Sequence, residues 1–151
     1  MTEIVPAILT NDISDFRKKY AELMALNKYF TKLHIDFMDG EFVPEKSLIP
    51  EELGFISVGG RPPPFVLIGH FMTFRPSEYF EQIKRLNFTW ALIHFEAFMN
   101  DDEILDTIDQ GRKLGLKMGL VLNPETPLHI TAKILPKVDL VQLMGIHPGA
   151  Q

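Results

Sequence analysis

Six short apolar runs with helix-like stretches between them constrain this chain more than any other feature. They are IVPAIL (Ile4 to Leu9), KLHIDF (Lys32 to Phe37), FVLIGH (Phe65 to His70), WALIHF (Trp90 to Phe95), KMGLVL (Lys117 to Leu122) and DLVQLM (Asp139 to Met144). Most are nearly continuous in apolar residues, the pattern of strands covered on both faces, which favours parallel pairing. Alternation of such strands with helices gives an α/β fold built on a parallel sheet. A dinucleotide-binding fold needs a glycine-rich turn after its first strand, and ILTNDIS has none, so the alternation reads as a barrel.

The stretches between the runs carry helix signals. Ile13, Phe16, Tyr20 and Met24 recur at three- and four-residue steps after a cap at Asn11 or Asp12. A second helix is expected near Pro76 to Leu86. A third, Asp101 to Leu114, opens on acids, turns Ile104, Leu105 and Ile108 inward, ends on Arg112 and Lys113, and is followed by Gly115. A fourth is expected to begin at a Thr126 cap with Pro127 in its first turn, bury Leu128, Ala132 and Leu135, and stop at Pro136. Between the second and third runs, punctuation at Arg61 to Pro64 predicts a loop-rich connection with at most a short helix near Glu51.

At 151 residues and 46% hydrophobic, the chain supports one domain, 1–151, with a substantial core. A net charge of −5 without a basic cluster argues against a nucleic-acid or anionic-membrane surface and for a small ligand. With no cysteine, disulfides and thiolate metal sites are excluded. A strand-like run just after Met1 leaves no room for a signal peptide, and no apolar run reaches membrane-spanning length, so a cytoplasmic location is expected.

In an α/β barrel the working residues stand at the carboxyl ends of the strands. Here those ends read Thr10, His34 with Asp36, His70, His94 with Glu96, Asn123, and Gly145 to Gly149. Residues two apart on a strand share a face, so polar groups collect at one rim. A lone histidine there is most often a hydrogen-bonded core residue. His34, Asp36 and His70 together suit a borderline divalent ion: zinc, manganese, iron or cobalt. His94 and Glu96 read equally as groups that orient those ligands or as ordinary structural partners. Met38, Met72 and Met144 are either core filler or an apolar collar around a reacting group. Asp39 and Gly40 read as a turn, and His129 as a surface residue.

The segment LHIDFMDGEFVP resembles the signature of ribulose-phosphate 3-epimerases. The likeness continues through VPAILTND, HFMTFRPSEYF, IHFEA, MGLVLNPETPL and VDLVQLMGIHPG, in order along the whole chain. It implies a TIM-type β/α barrel, here incomplete with about six of eight strands, and metal-dependent interconversion of D-ribulose 5-phosphate and D-xylulose 5-phosphate in the pentose phosphate pathway. Position by position it implies His34, Asp36 and His70 as metal ligands. It makes Asp36 one of two acid/base carboxylates, and Met38, Met72 and Met144 the apolar collar. Thr10 and Gly149 are the further substrate-contacting candidates.

The departures from the pattern are Ala7, where the family carries serine, and Ile68, where an aspartate is common. The second acid/base aspartate and the glycine-rich phosphate loops would follow Gln151. An open six-stranded array exposes two edges, so a truncated enzyme or one completed by homo-oligomeric assembly is expected. Two other readings stay open. One is an allulose-6-phosphate 3-epimerase; the other is a catalytically inactive, metal- or ligand-binding barrel fragment.

Overall fold

The computed structural model describes residues 2–60 and 62–149, so Arg61, within the expected loop punctuation, lies outside it, as do Met1, Ala150 and Gln151. Six strands form one all-parallel sheet in chain order: β1 (Ala7–Ile8), β2 (Lys32–Met38), β3 (Val66–Met72), β4 (Phe88–His94), β5 (Lys117–Leu122) and β6 (Leu140–Leu143). Each strand pairs with the next, as in a barrel wall and unlike a doubly wound sheet whose order reverses.

The helices form where their ends are chemically closed. Helix α1 (Ile13–Ala25) begins at Asp12, whose carboxylate accepts the Ser14 N–H at 2.7 Å. Helix α2 (Phe80–Arg85) continues a 3₁₀ turn, Pro76–Tyr79, that starts on a proline. Helix α3 (Asp101–Lys113) is capped by Asn100, which accepts the Glu103 N–H at 3.0 Å, while Glu103 reaches back to the Met99 N–H. Gly115 takes φ +77° just past its end, a conformation open to glycine at little cost.

Two apolar layers result from the strand pleat. The larger lies between the outer face of the sheet and the helices, and contains Ile35, Phe37, Leu67, Phe71, Ile93 and Leu120 among others. The smaller lines the concave face, where Ile68, Leu92 and Val121 pack together and Met38, Met72 and Val43 form a patch near the rim. Strands β2 to β5 are thus covered on both faces, as their continuous apolar character predicts. On β6, Val141 and Leu143 stay exposed, Leu143 at 70%. Among the described residues, no helix is long and apolar enough to cross a membrane.

Three local expectations change. The first strand is only the two residues Ala7–Ile8 within the run Ile4 to Leu9. The connection after β2 is a long 3₁₀ segment, Pro50–Gly60, which contains the short helix expected near Glu51. The fourth α-helix is absent; in its place stand two 3₁₀ turns, Leu128–Thr131 and Leu135–Lys137. Pro127 is extended, at ψ 129°, so it does not open a helix, and Pro136 has no N–H to bond the Ala132 carbonyl, so an α-helix cannot run through it unbroken. The chain closes with i to i+3 bonds, and the Thr131 hydroxyl donates to the Leu128 carbonyl at 2.7 Å. Thr131 and Ile134 face inward, whereas Leu128 and Ala132 are exposed.

Candidate active site

The register of β2 against β3 sets Asp36 beside His70, with His34 one inward position earlier on β2. His70 Nδ1 lies 2.6 Å from Asp36 Oδ1, and His34 Nε2 lies 3.2 Å from the same oxygen. Although that close, the His34 nitrogen is buried and makes no directed hydrogen bond. One ligand atom from each of the three residues lies within 4.8 Å of the other two. Two imidazoles and a carboxylate with an orphaned nitrogen among them are a donor set that fits a divalent metal.

A second group continues the first. His70 Nε2 stands 2.9 Å from His94 Nε2, and His94 Nδ1 stands 3.3 Å from Glu96 Oε2. The other Glu96 oxygen accepts the Asn123 N–H at 2.7 Å and the Thr126 hydroxyl. His70 is 2% exposed and His94 0%, and the Phe42 ring covers His94 at 5.0 Å between centroids.

Electrostatics keep the carboxylates ionised. Burial would raise Asp36, but the close His34 and His70 rings outweigh it and hold the carboxyl well below its ordinary range. Burial likewise opposes ionisation of Glu96, yet bonds from His94, Thr126 and the Asn123 N–H lower it to about 2. Burial lowers His70 to about 4 despite the neighbouring Asp36, so its ring is neutral near pH 7 and has an electron pair to offer.

A pocket of ≈ 190 Å³ opens over this group, and His34, Asp36, His70, Met72, Met144 and Gly149 help to line it. Thr10 and Met38, also expected to meet a ligand, line an adjoining pocket of ≈ 450 Å³ that Gly149 shares. The Thr10 hydroxyl accepts the Asp12 N–H at 3.2 Å, a turn contact at the start of α1. His129 is exposed, and Asp39 with Gly40 forms a turn in which Gly40 has φ +84°.

Sequence reasoning missed Ser47. Because β1 ends at Ile8, the far end of β2 lacks a strand partner on that side. The buried Ser47 hydroxyl accepts the Met38 N–H at 2.9 Å and lies 2.8 Å from the Asp36 carbonyl, to which it donates. A serine in a loop carries no signal of that task. Gln142 and Ile146 also line the smaller pocket and were not anticipated. They belong to the β6 region, whose inward set depends on how far the sheet curls.

A sequence model described as the Ribulose-phosphate 3 epimerase family matches residues 3–151. The chain belongs to that family. Ribulose-phosphate 3-epimerases of Chlamydia pneumoniae and Bacillus subtilis are 32% and 31% identical to it. Their alignments take in 95% and 99% of this chain but 59% and 65% of the relatives. The epimerase of Chlamydia muridarum is 36% identical over 78% of the chain and 49% of the relative. The chain therefore spans less than two thirds of the length of these relatives. Among solved structures, a mutant tryptophan synthase alpha-subunit from Pyrococcus furiosus superposes with a TM-score of 0.67 at 14% identity. That match covers 93% of this chain and 64% of the other, and it shows the fold alone, an α/β barrel wall.

Proposed function

We propose that this chain carries the metal-binding and first acid/base half of an epimerase that interconverts D-ribulose 5-phosphate and D-xylulose 5-phosphate. The observation that carries the reading is Asp36, an ionised carboxylate held between two histidines at the floor of the concave pocket. The proton next to a ketone is weakly acidic, and its removal leaves a planar enediolate that can be reprotonated from either face. Asp36 is the carboxylate placed to take or return that proton on one face. The second carboxylate that inversion requires is not among the described residues lining the pocket, and we assign it to the part of the relatives' length that this chain does not span.

His34, Asp36 and His70 would hold the ion, with zinc the best match to the donor set. A divalent cation there supplies positive charge where negative charge develops on the substrate oxygens. Met72 and Met144 flank the same pocket and limit water beside the reacting carbon, which strengthens local electrostatics. A small phosphorylated ketose is thus the partner, and pentose phosphate metabolism in the cytoplasm the setting. Assembly with further copies would cover the exposed face of β6.

A second reading, epimerisation of allulose 6-phosphate, is favoured by Ala7, which leaves no hydroxyl on β1 where the family carries serine. The test is solvent exchange. Incubated with zinc in deuterated water, the protein should wash the C3 proton from ribulose 5-phosphate, read by proton NMR. Faster exchange with allulose 6-phosphate would move the assignment to that substrate. Zinc uptake without exchange on either ketose would leave a binding protein.

A further inference from the structure

We infer that Gln142 helps to decide which ligand the concave pocket accepts, its side-chain amide binding a hydroxyl group of the phosphorylated ketose outside the reacting C2–C3 pair. This rests on the functional reading above and names a contact within that same site.

Gln142 breaks an apolar pattern. Side chains two apart share a face, so Gln142 on β6 and Met144 just past its end both turn to the concave pocket. The register partner of Gln142 is Val121, which is fully buried and packs with Ile68 and Leu92, and Met144 lies against the same cluster. An apolar side chain would suit that wall better than an amide, whose donors and acceptor need partners. The protein supplies one, the Met144 sulfur, 3.5 Å from Gln142 Nε2. A thioether accepts weakly and cannot donate, so the NH₂ must face it. Gln142 Oε1 accepts from no donor among the described residues.

The pocket gives that amide a task. Gln142 lines it from β6 while His34, Asp36 and His70 line it from β2 and β3. Apart from those three, the described lining is Leu9, Met72, Met144, Ile146 and Gly149, so Gln142 brings the neutral side chain that both donates and accepts. Ala7, the register partner of His34 on β1, has no hydroxyl to add. Negative charge in the enediolate develops on the oxygens of C2 and C3, where the proposed ion acts. The hydroxyls on C1 and C4 stay neutral, and an amide recognises such a group without placing a second charge beside Asp36. A hydroxyl carried against this apolar wall without a partner would cost binding. Gln142 therefore acts in specificity and moves no proton.

Gln142→Leu and Gln142→Met, the second an unbranched match in length, both remove the amide. Without ligand, their urea denaturation midpoints should equal or exceed that of the wild type, because the fold loses only the weak bond to sulfur. Affinity should move the other way. In isothermal titration of the zinc-loaded proteins, D-xylulose 5-phosphate should bind the variants about 2–10-fold more weakly, the worth of one neutral hydrogen bond. The 1-deoxy analogue locates the contact: an unchanged affinity for it puts the amide on the C1 hydroxyl, and an equal loss puts it on C4. Inorganic phosphate, which has no carbon-bound hydroxyl, should bind all three proteins alike. A loss below about twofold for xylulose 5-phosphate, or an equal loss for inorganic phosphate, would overturn the inference and leave the functional reading standing. Lower midpoints in both variants would assign the amide to the fold and overturn it as well. Should the wild type bind no ketose phosphate, the functional reading itself falls and the hydroxyl contact with it.

Discussion

His70 Nδ1 meets Asp36 Oδ1 at 2.6 Å because the two residues are register partners on adjacent parallel strands with their side chains on the concave face. The pairing puts an ionised carboxylate beside an imidazole that burial keeps neutral, two groups able to share a cation. The same carboxylate is only slightly exposed, at 15%, and opens into the pocket. One side chain thus serves as proposed ligand and proposed base.

Asp36→Asn removes the charge and keeps the shape. The exchange of the ketose C3 proton proposed above should slow by roughly 10²–10⁴-fold, the range for loss of a general acid/base group. Far-UV circular dichroism should be unchanged. Exchange of the C3 proton at the wild-type rate would take Asp36 out of that role.

Ser47→Ala leaves the Met38 N–H and the Asp36 carbonyl without their buried partner. The expected cost is about 1–3 kcal/mol, read from urea denaturation. A looser end of β2 should also weaken zinc binding. A stability loss with zinc affinity untouched would show that the clamp does not help to position Asp36.

The replacement of the fourth helix by 3₁₀ turns predicts a contrast between two residues. Ile134 is fully buried and Leu128 is 52% exposed. Ile134→Ala should cost about 2–5 kcal/mol by opening a cavity, and Leu128→Ala less than about 0.5 kcal/mol. The reverse order would restore the amphipathic helix that the spacing between the prolines predicts.

Acid should unlock the rim. Folding lowers the Glu96 carboxyl from 4.5 to about 2, so the unfolded chain binds the proton more readily than the native one. The stabilisation is full above the unfolded value and disappears as pH falls from about 4.5 toward 2. Asp36, also lowered, acts in the same direction. Denaturation midpoints of wild type and Glu96→Gln should differ at pH 6, approach each other as pH falls below about 4.5, and converge only near pH 2 or below. A constant gap would mean that the Glu96 charge contributes nothing.

The sequence by itself determined the strand and helix alternation, the parallel class, the cap of α1, the glycine that follows α3, the Asp39–Gly40 turn and the trio His34, Asp36 and His70. These are local facts. Periodicity states which face a side chain takes within its own strand, and polar residues at strand ends state where the rim lies. Tertiary structure decided what lies between strands. The register of β3 against β4 shifts by one residue between Leu67 and Ile68, so that Ile68 pairs with Trp90 and His70 with Leu92. Without the shift, His70 would pair with Ala91, and His94 would turn to the outer face, away from His70, because side-chain direction alternates along a strand. The short β1 that leaves Ser47 its task, and the 3₁₀ turns between Pro127 and Pro136, are likewise settled by packing. A sequence pattern records which side of its own element a residue occupies, whereas alignment between elements depends on the energy of the whole sheet.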